Sequence, residues 1–370
     1  MKSIKLCLCG MFALVALLSS GSVFAQLTIP ATSQEAEVTQ RVGITDITIH
    51  YNRPYTRNRE IWGALVPYGF NDLGFGTAEA APWRAGADYN TTIEFTHDVK
   101  IEGKDIAAGK YGLFMAVEEN GDVWVILSHN TTSWGSFFYD EAEDALRVKV
   151  TSRDIEQHRE ILTYEFNEVT PNSTTATLHW AKKEIPFKID VDVQNIVLEG
   201  IKNDLRNPNG FQQSTWDQAA NYAFNAGDMD LALEWTNASI SGQFFSQETF
   251  ANLSLKSRIL ARQGNTEESL AFLDKAIELG NANQVYGAGT QLIASGNVDK
   301  AVEVMKNNVK KNKGAWPSNY GLARAYSAKG DFKKAIKSMD KALENAPDRF
   351  VGRLTTELER LKNDEDITQQ

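Results

Sequence analysis

Cysteine is nearly absent from this chain: among its 370 residues only Cys7 and Cys9 are cysteines, and both lie close to the N-terminus. A protein that loses this segment has no thiol left, which excludes disulfide support for its fold. Long hydrophobic runs are also missing. The uncharged apolar run Leu6 to Leu18 has 13 residues, whereas a membrane-spanning helix needs about 20. We therefore expect no transmembrane segment in the mature chain.

The chain also lacks an excess of basic residues. Its formal net charge is −10, and it becomes −12 for a chain that starts at Gln26, because Lys2 and Lys5 are the only charged residues before that position. Nucleic-acid binding depends on basic stripes that neutralise phosphates, and attachment to anionic lipid depends on polybasic segments. The sequence therefore predicts neither a nucleic-acid partner nor a polybasic membrane anchor.

Motifs for chemistry are missing as well. No two histidines stand three to five residues apart, and there is no G-x-S-x-G elbow, no glycine-rich phosphate loop and no cysteine nucleophile. The paired carboxylates of residues 140–144 fall in a polar loop, where we expect them to be solvated. The sequence thus predicts no catalytic residue, no metal site and no cofactor. The five histidines, which we interpret as surface or strand-face residues, are His50, His97, His129, His158 and His179.

The N-terminus has the pattern of a secretory signal peptide. A short basic segment ending at Lys5 precedes the apolar run, and the small residues before Gln26 fit a cleavage site after Ala25. A lipid-anchored alternative would require a cysteine at the end of the apolar run, and neither cysteine occupies that position. We expect cleavage after residue 25 and export to the periplasm or cell envelope of a Gram-negative bacterium.

Residues 26–193 read as an all-β domain. Apolar and polar residues alternate with period two, as in Ile47 to Tyr51, and Gly, Asn, Asp and Pro interrupt the runs. About eight such strands predict a β-sandwich or a barrel, of which we favour the sandwich. Hairpin turns are expected at Glu102-Gly103-Lys104 and at Asn120-Gly121-Asp122. The other predicted strands are Thr91 to Phe95, Tyr111 to Val117, Val123 to Ser128, Leu146 to Val150, Leu162 to Phe166, Ala176 to Trp180 and Ile185 to Val191.

Residues 194–363 read as repeated helical hairpins. Four glycines, each followed by Asp or Asn, recur at separations of 37, 32 and 34 residues, at Gly227, Gly264, Gly296 and Gly330. Glycine can end one helix in a left-handed conformation, and the polar residue after it can cap the next. A small residue five positions after each glycine lets the paired helices approach closely. This pattern predicts an all-α solenoid with a repeat of about 34 residues; the alternative is an irregular helical bundle.

The last of these repeats resembles the tetratricopeptide repeat (TPR) family. It runs from Gly321-Leu322-Ala323-Arg324-Ala325-Tyr326, through Gly330-Asp331-Phe332, to Ala342-Leu343 and Ala346-Pro347. The repeat around Gly227 departs from the family pattern at Ala220 and Thr236. Phe350 to Leu361 is expected to form a polar-faced capping helix, followed by a polar tail over residues 364–370. Such arrays are commonly platforms for protein or peptide partners.

The β-rich half resembles a bacterial envelope family named domain of unknown function 2911, over most of Val38 to Asp192. The resemblance rests on YNRPYTRNREIWGALVPYG from Tyr51, WRAGADYNTTIEF from Trp83, AGKYGLFM from Ala108, and Trp134-Gly135. This chain departs from the family by carrying Phe70 to Pro82 between Gly69 and Trp83, which we interpret as an added Gly- and Ala-rich loop. The resemblance implies export and a β-rich fold but no known reaction.

One group of aromatic and basic residues in the β-rich half is a candidate ligand site. Arginine gives bidentate hydrogen bonds to anions, and tryptophan offers a flat apolar face to sugars and other planar ligands. The alternative is a scaffold in which Trp62 and Trp83 cover the open end of the sandwich and Arg84 pairs with Asp88 or Glu94; we favour this scaffold interpretation. The candidate ligand-binding residues are Arg53, Tyr55, Arg57, Trp83, Arg84, Asp88 and Asn90, with Arg59 nearby.

Two classes of function follow. The first is a non-enzymatic binding or scaffold module that holds a protein or peptide partner on its helical repeats. The second is a small-molecule or sugar receptor, or an enzyme, centred on the Arg and Trp cluster. We prefer the first, because stacked helical hairpins present a long curved surface to a partner.

Overall fold

A computed structural model describes residues 30–368 of the chain. The predicted signal peptide, residues 1–25, lies outside the described residues. The chain forms two compact units, and the boundary between them falls between Val193 and Gln194. We call the first unit the β-domain and the second the helical domain.

The described part of the β-domain contains ten strands, and their positions along the chain account for most of the alternation of apolar and polar residues in the sequence. In β2 the side chains of Ile47, Ile49 and Tyr51 are buried while Thr48 and His50 are partly exposed, as the period-two pattern predicts. The strands are β1 Gln34–Val42, β2 Thr45–Arg53, β3 Thr92–Phe95, β4 Val99–Ile101, β5 Lys104–Ile106, β6 Gly109–Val117, β7 Asp122–Ser128, β8 Asp144–Thr151, β9 Arg153–Asn167 and β10 Ser173–Asp190.

These strands form two antiparallel sheets, a six-stranded sheet in the order β1-β2-β3-β6-β7-β8 and a four-stranded sheet in the order β5-β4-β10-β9. The sheets meet where the ring of Tyr51 packs edge-on against Tyr164, with ring centroids 4.8 Å apart. Arg53 adds a polar link, because its guanidinium donates to the carbonyl of Leu162 at 3.0 Å and to Thr163 Oγ1 at 2.8 Å. The predicted all-β, sandwich-like domain is therefore confirmed.

The helical domain is a succession of antiparallel helices joined by short turns. The predicted all-α array of helical hairpins is confirmed. The helices of the described chain are α1 Val193–Asp204, α2 Gln213–Ala226, α3 Met229–Ile240, α4 Phe250–Arg262, α5 Thr266–Leu279, α6 Ala282–Ala294, α7 Val298–Lys311, α8 Trp316–Ala328, α9 Phe332–Leu343 and α10 Asp348–Lys362. Within residues 30–368 no helix combines the length and the apolar character that a membrane crossing requires.

The recurring glycines end the first helix of each hairpin, as expected. Gly227, Gly264, Gly296 and Gly330 all have φ between 79° and 90°, and only glycine adopts this region at little cost. Asp228 then caps α3 by accepting from the backbone N–H of Leu231 at 3.0 Å. The small residues five positions on are almost completely buried, at 5% exposure or less: Ala232, Ser269, Ala301 and Ala335.

The C-terminal segment packs back onto the repeats. Ile367, in the segment expected to be a polar tail, is only 4% exposed and joins the apolar core formed by the last repeats. Its backbone N–H donates to Ser327 Oγ at 3.0 Å, and that hydroxyl donates to Asp366 at 2.8 Å. Residues 364–368 therefore complete the end of the helical domain after α10.

Candidate functional site

A cleft of ≈ 400 Å³ opens in the β-domain beside several of the predicted site residues. Its walls come from the long connection between β2 and β3, from the loop between β7 and β8, and from Trp180 on β10. Tyr55, Arg57, Arg59, Trp83 and Arg84 all line it. The structure thus brings together five residues that the sequence suggested as one cluster. We call this cavity the β-domain cleft.

Three tryptophans form an aromatic cluster against this cleft. Trp83 stacks on Trp180 with centroids 5.9 Å apart and an interplanar angle of 15°, and Trp62 packs edge-on against both rings at 5.7 and 6.1 Å. Trp83 is fixed to the six-stranded sheet by two 2.8 Å backbone hydrogen bonds with Met115 of β6. Because Trp180 belongs to the four-stranded sheet, the cleft lies where a loop anchored on one sheet meets the other.

Arg84 is the most unusual charge at the cleft. Its Nε is buried without a hydrogen-bond partner, and its guanidinium lies over the Trp134 ring, 5.6 Å from the centroid. Burial lowers the pKa of Arg84, and the charge of Asp88 opposes this only in part. No carboxylate of residues 30–368 forms an ion pair with Arg84 at 4.0 Å or less. The expected ion pair of Arg84 with Asp88 or Glu94 is therefore wrong.

The other cationic residues of the cleft sit on one tight turn. Pro54 to Thr56 runs beside β9, where Thr56 N donates to the Glu160 carbonyl at 2.8 Å. The Glu160 carboxylate holds the same turn by accepting from the Arg57 backbone N–H at 2.9 Å. Arg59 folds back and donates to the carbonyls of Thr56 and Tyr55 at 3.0 and 2.6 Å. The Arg57 side chain is exposed and extends over the Tyr55 ring at 6.0 Å.

Three of the predicted site residues lie elsewhere and act in the framework of the domain. Arg53 joins the two sheets, as described above. Asp88 accepts from Gly135 N at 3.1 Å through its backbone carbonyl, and its φ of 57° marks a tight bend. Asn90 is 4% exposed and donates through Nδ2 to the Asn130 carbonyl at 2.9 Å. None of the three is among the residues that line the cleft.

Sequence reasoning missed part of the cleft wall. The inserted segment Phe70 to Pro82 contributes Asn71, Leu73, Ala81 and Pro82, and its two ends pair through reciprocal Asn71 and Ala81 backbone hydrogen bonds of 3.0 and 2.9 Å. Ser136 and Phe137, directly after the Trp134-Gly135 motif, also line the cleft, and Phe137 contacts the inserted segment through the backbone N–H groups of Thr77 and Ala78. That adjacency was the one sequence signal for Ser136 and Phe137 as lining residues. No sequence signal indicated Trp180, because it lies on a strand that is distant along the chain.

One expectation about a titratable group is wrong. Asp144, expected in a solvated loop, has a side chain only 8% exposed and is ion-paired to Arg147; it also accepts from Tyr139 Oη at 2.8 Å. Burial raises the pKa of Asp144, and these hydrogen bonds offset that only in part. His179 lies on strand β10, within the expectation of a surface or strand-face residue; it is 6% exposed and has Glu165 at 3.5 Å and Glu184 at 3.8 Å. Within residues 30–368 no three His, Cys, Asp or Glu side chains are grouped to hold a metal ion.

A second cleft, of ≈ 350 Å³, lies in the helical domain at the first turns of α6, α8 and α10. Its walls are aromatic: Trp316 packs on Phe350 at 4.7 Å, and Tyr286 stacks on Tyr320 at 5.6 Å. Arg353 donates to Glu357 at 2.9 Å and to Tyr320 Oη at 3.0 Å, so its charge is held in a network. Arg349, by contrast, is exposed and lies over Phe350 at 4.8 Å. We call this cavity the helical cleft.

Comparisons with known proteins assign both halves of the chain. Residues 33–189 match the family described as "Protein of unknown function (DUF2911)", and residues 252–283 and 292–355 match the tetratricopeptide repeat. The two family resemblances seen in the sequence are therefore confirmed, and tetratricopeptide repeats indicate a protein-binding scaffold. These matches carry no information on cellular location.

Solved structures that resemble the chain are TPR proteins, at low identity. The C-terminal part of a TPR repeat-containing protein from Cytophaga hutchinsonii is 17% identical with a TM-score of 0.36, over 46% of this chain and 67% of that one. A tetratricopeptide repeat protein from Parabacteroides merdae is 16% identical with a TM-score of 0.35, over 46% and 68%. YrrB, titled a TPR protein with an unusual peptide-binding site, is 17% identical with a TM-score of 0.32, over 44% and 84%. No curated protein matches the chain.

Proposed function

We propose that this protein is an exported, non-enzymatic scaffold that binds a segment of a partner protein in the helical cleft. The observation that carries the proposal is the run of aromatic side chains contributed by the first turns of α6, α8 and α10. Partly exposed Trp316, Tyr286 and Phe350 offer flat apolar surface at a low entropic cost of ordering. Large aromatic side chains of this kind dominate the energy of binding interfaces.

The charges of the helical cleft further restrict the kind of peptide that it can bind. The helical cleft is lined by Arg349 and Arg353 and by no carboxylate. Oε1 of Glu357 accepts from Tyr320 and Arg353, which partly neutralises the Arg353 charge, and Arg349 has no such partner among the hydrogen bonds of the described residues. A peptide that combines aromatic or aliphatic side chains with a nearby Asp or Glu would fill the apolar walls and meet Arg349 at the rim. We propose this class of acidic, apolar segment as the ligand.

The test selects peptides and then asks which side chains hold them. A random dodecapeptide library is panned on the full mature chain, and the selected peptides are titrated by fluorescence anisotropy. We expect sequences that pair aromatic or aliphatic residues with Asp or Glu, and an affinity loss of at least about tenfold in both Trp316→Ala and Arg349→Glu, because each change removes a residue of the cleft wall.

Lys337→Glu is the matched control for charge, since Lys337 is an exposed lysine on α9 outside the cleft. It should bind the peptides as wild type does. Peptides that bind Trp316→Ala and Arg349→Glu as tightly as wild type, or a selection without an enriched sequence, would contradict the proposal.

Export rests on the succession of basic, apolar and small residues before Gln26. Protein recovered from an exporting Gram-negative host should begin at Gln26 by N-terminal sequencing and intact mass. A retained Met1, or a lipid on Cys7 or Cys9, would refute this part of the proposal.

A further inference from the structure

The charged side chains that line the β-domain cleft are basic, whereas the molecule as a whole is acidic. The chain has 48 acidic and 38 basic residues, yet the residues that line this cleft include Arg57, Arg59 and Arg84 and no Asp or Glu. A cavity in a low-dielectric wall focuses the field of the charges beside it. The charged side chains that line the cleft are therefore all positive, with the Glu160 carboxylate held against the Arg57 backbone N–H at 2.9 Å outside the lining.

Two donors on the lining residues are buried and unused. Arg84 Nε and Trp180 Nε1 both lack an acceptor, and Trp180 is only 1% exposed. A buried donor without an acceptor is unfavourable, and a buried charge without a partner is more so. Such unsatisfied groups are retained at sites that serve a function, such as ligand binding, and not only the stability of the fold. Arg84 is the clearest case, since its guanidinium lies over the Trp134 ring and forms no ion pair with a carboxylate of residues 30–368 at 4.0 Å or less.

The rest of the wall is mixed. Trp83, Leu65, Val66 and Phe137 contribute apolar surface, and Thr32, Ser33 and Ser136 contribute hydroxyl groups. The volume of ≈ 400 Å³ falls within the range of roughly 300–1,000 Å³ that small-molecule sites occupy. A sugar would need carboxylate or amide acceptors for its hydroxyls, and Asn71 is the one such side chain on the wall. The lining favours a ligand that is apolar over much of its surface.

We propose that the β-domain cleft binds a small organic anion with a flat apolar body, whose carboxylate, sulfonate or phosphate group pairs with Arg84. The apolar body lies against Trp83 and Phe137, and Arg57 at the rim draws the anion in. This site is separate from the helical cleft, so the failure of either proposal leaves the other standing.

The test is isothermal titration calorimetry of the full mature chain with three aryl anions: 2-naphthoate, 4-phenylbutyrate and phenyl phosphate. Each carboxylate is paired with its neutral amide, and sodium acetate and inorganic phosphate test the charge without the ring. We expect at least one aryl anion to bind, its neutral amide to bind at least about tenfold more weakly, and the small ions to bind more weakly still. A competition arm with glucose and maltose should show no displacement.

Three variants assign the binding to the cleft. Arg84→Gln should weaken the bound aryl anion at least about tenfold, and Arg57→Gln should weaken it about two- to fivefold, because Arg57 is exposed and screened. Arg153→Gln removes an exposed charge of the same domain outside the cleft and should change nothing. Near-ultraviolet circular dichroism verifies the aromatic cluster in each variant; if Arg84→Gln fails to fold, Arg57→Gln decides. Absence of binding by all three anions, equal binding of a neutral amide, or equal affinity in wild type and the cleft variants overturns the proposal.

Discussion

At the scale of single residues, one glycine holds the inserted loop against the β-domain cleft. Gly76 has φ of 84°, and a Cβ added there would lie 2.1 Å from the carbonyl oxygen of Phe137. That same oxygen accepts the backbone N–H groups of Thr77 and Ala78 at 2.9 and 3.0 Å. The close approach and the two hydrogen bonds therefore depend on the missing side chain.

We expect Gly76→Ala to destabilise the β-domain more than Gly74→Ala does. Both glycines have positive φ, but a Cβ at Gly74 would meet nothing within 4 Å. Gly74→Ala should cost about 1–2 kcal/mol for the left-handed backbone alone, and Gly76→Ala a further ~1–3 kcal/mol for the clash. Urea denaturation followed by tryptophan fluorescence measures the difference, and limited proteolysis shows whether the loop is released. Equal costs in the two variants would mean that the loop does not depend on this contact.

Residue identity predicted part of the cleft lining, but it did not separate the side chains that line the cleft from those that support the fold. Tyr55, Arg57, Trp83 and Arg84 line the cleft, whereas Arg53 and Asn90 are used by the framework. The reason is geometric. Arg53 ends strand β2 and donates to the backbone of β9, whereas Tyr55 lies in the irregular connection that follows, where no periodicity assigns a side chain to a face.

At the scale of elements, the sequence predicted five of the six strands of the six-stranded sheet, including the edge strand β8, and missed β1 and the short strands β4 and β5. β6 and β7 are buried along most of their length, and their apolar runs were recognised. β1 and the first half of β9 were missed because both strands stand at the edge of a sheet, where charged and exposed residues replace the alternating pattern. β10 was predicted as two strands because irregular pairing between His179 and Lys183 interrupts its pattern.

Helix ends were predicted more accurately than strand ends, because glycine and capping residues end or begin a helix through local interactions that can be read from the sequence. The exception is the C-terminal segment after α10. Its residues are polar apart from Ile367, and a single apolar residue gave no periodic signal, although it is almost fully buried. The structure of this segment therefore depends on tertiary packing and not on a local sequence pattern.

At the scale of the whole molecule, each unit carries its own apolar core. The helical domain has two clusters of buried residues, one from Leu198 to Ile259 and one from Leu273 to Ile367, and both lie wholly after the boundary. In the β-domain the last residue, Val193, packs against Gly43, since a Cβ at Gly43 would lie 2.5 Å from it. Cutting after Val193 therefore keeps both sets of contacts intact.

We expect the fragments Gln26–Val193 and Gln194–Gln370 to fold independently, because both buried clusters of the helical domain are built from residues after the boundary. The first should give a β-rich far-ultraviolet circular dichroism spectrum and the second a helical one, and their sum should reproduce the full chain. A fragment that stops at Asn172 is the matched control: it lacks β10, which pairs with both β4 and β9, and should be unfolded. Two disordered fragments, or a helical spectrum from the first, would contradict the division, because each unit would then need the other to bury its apolar surface.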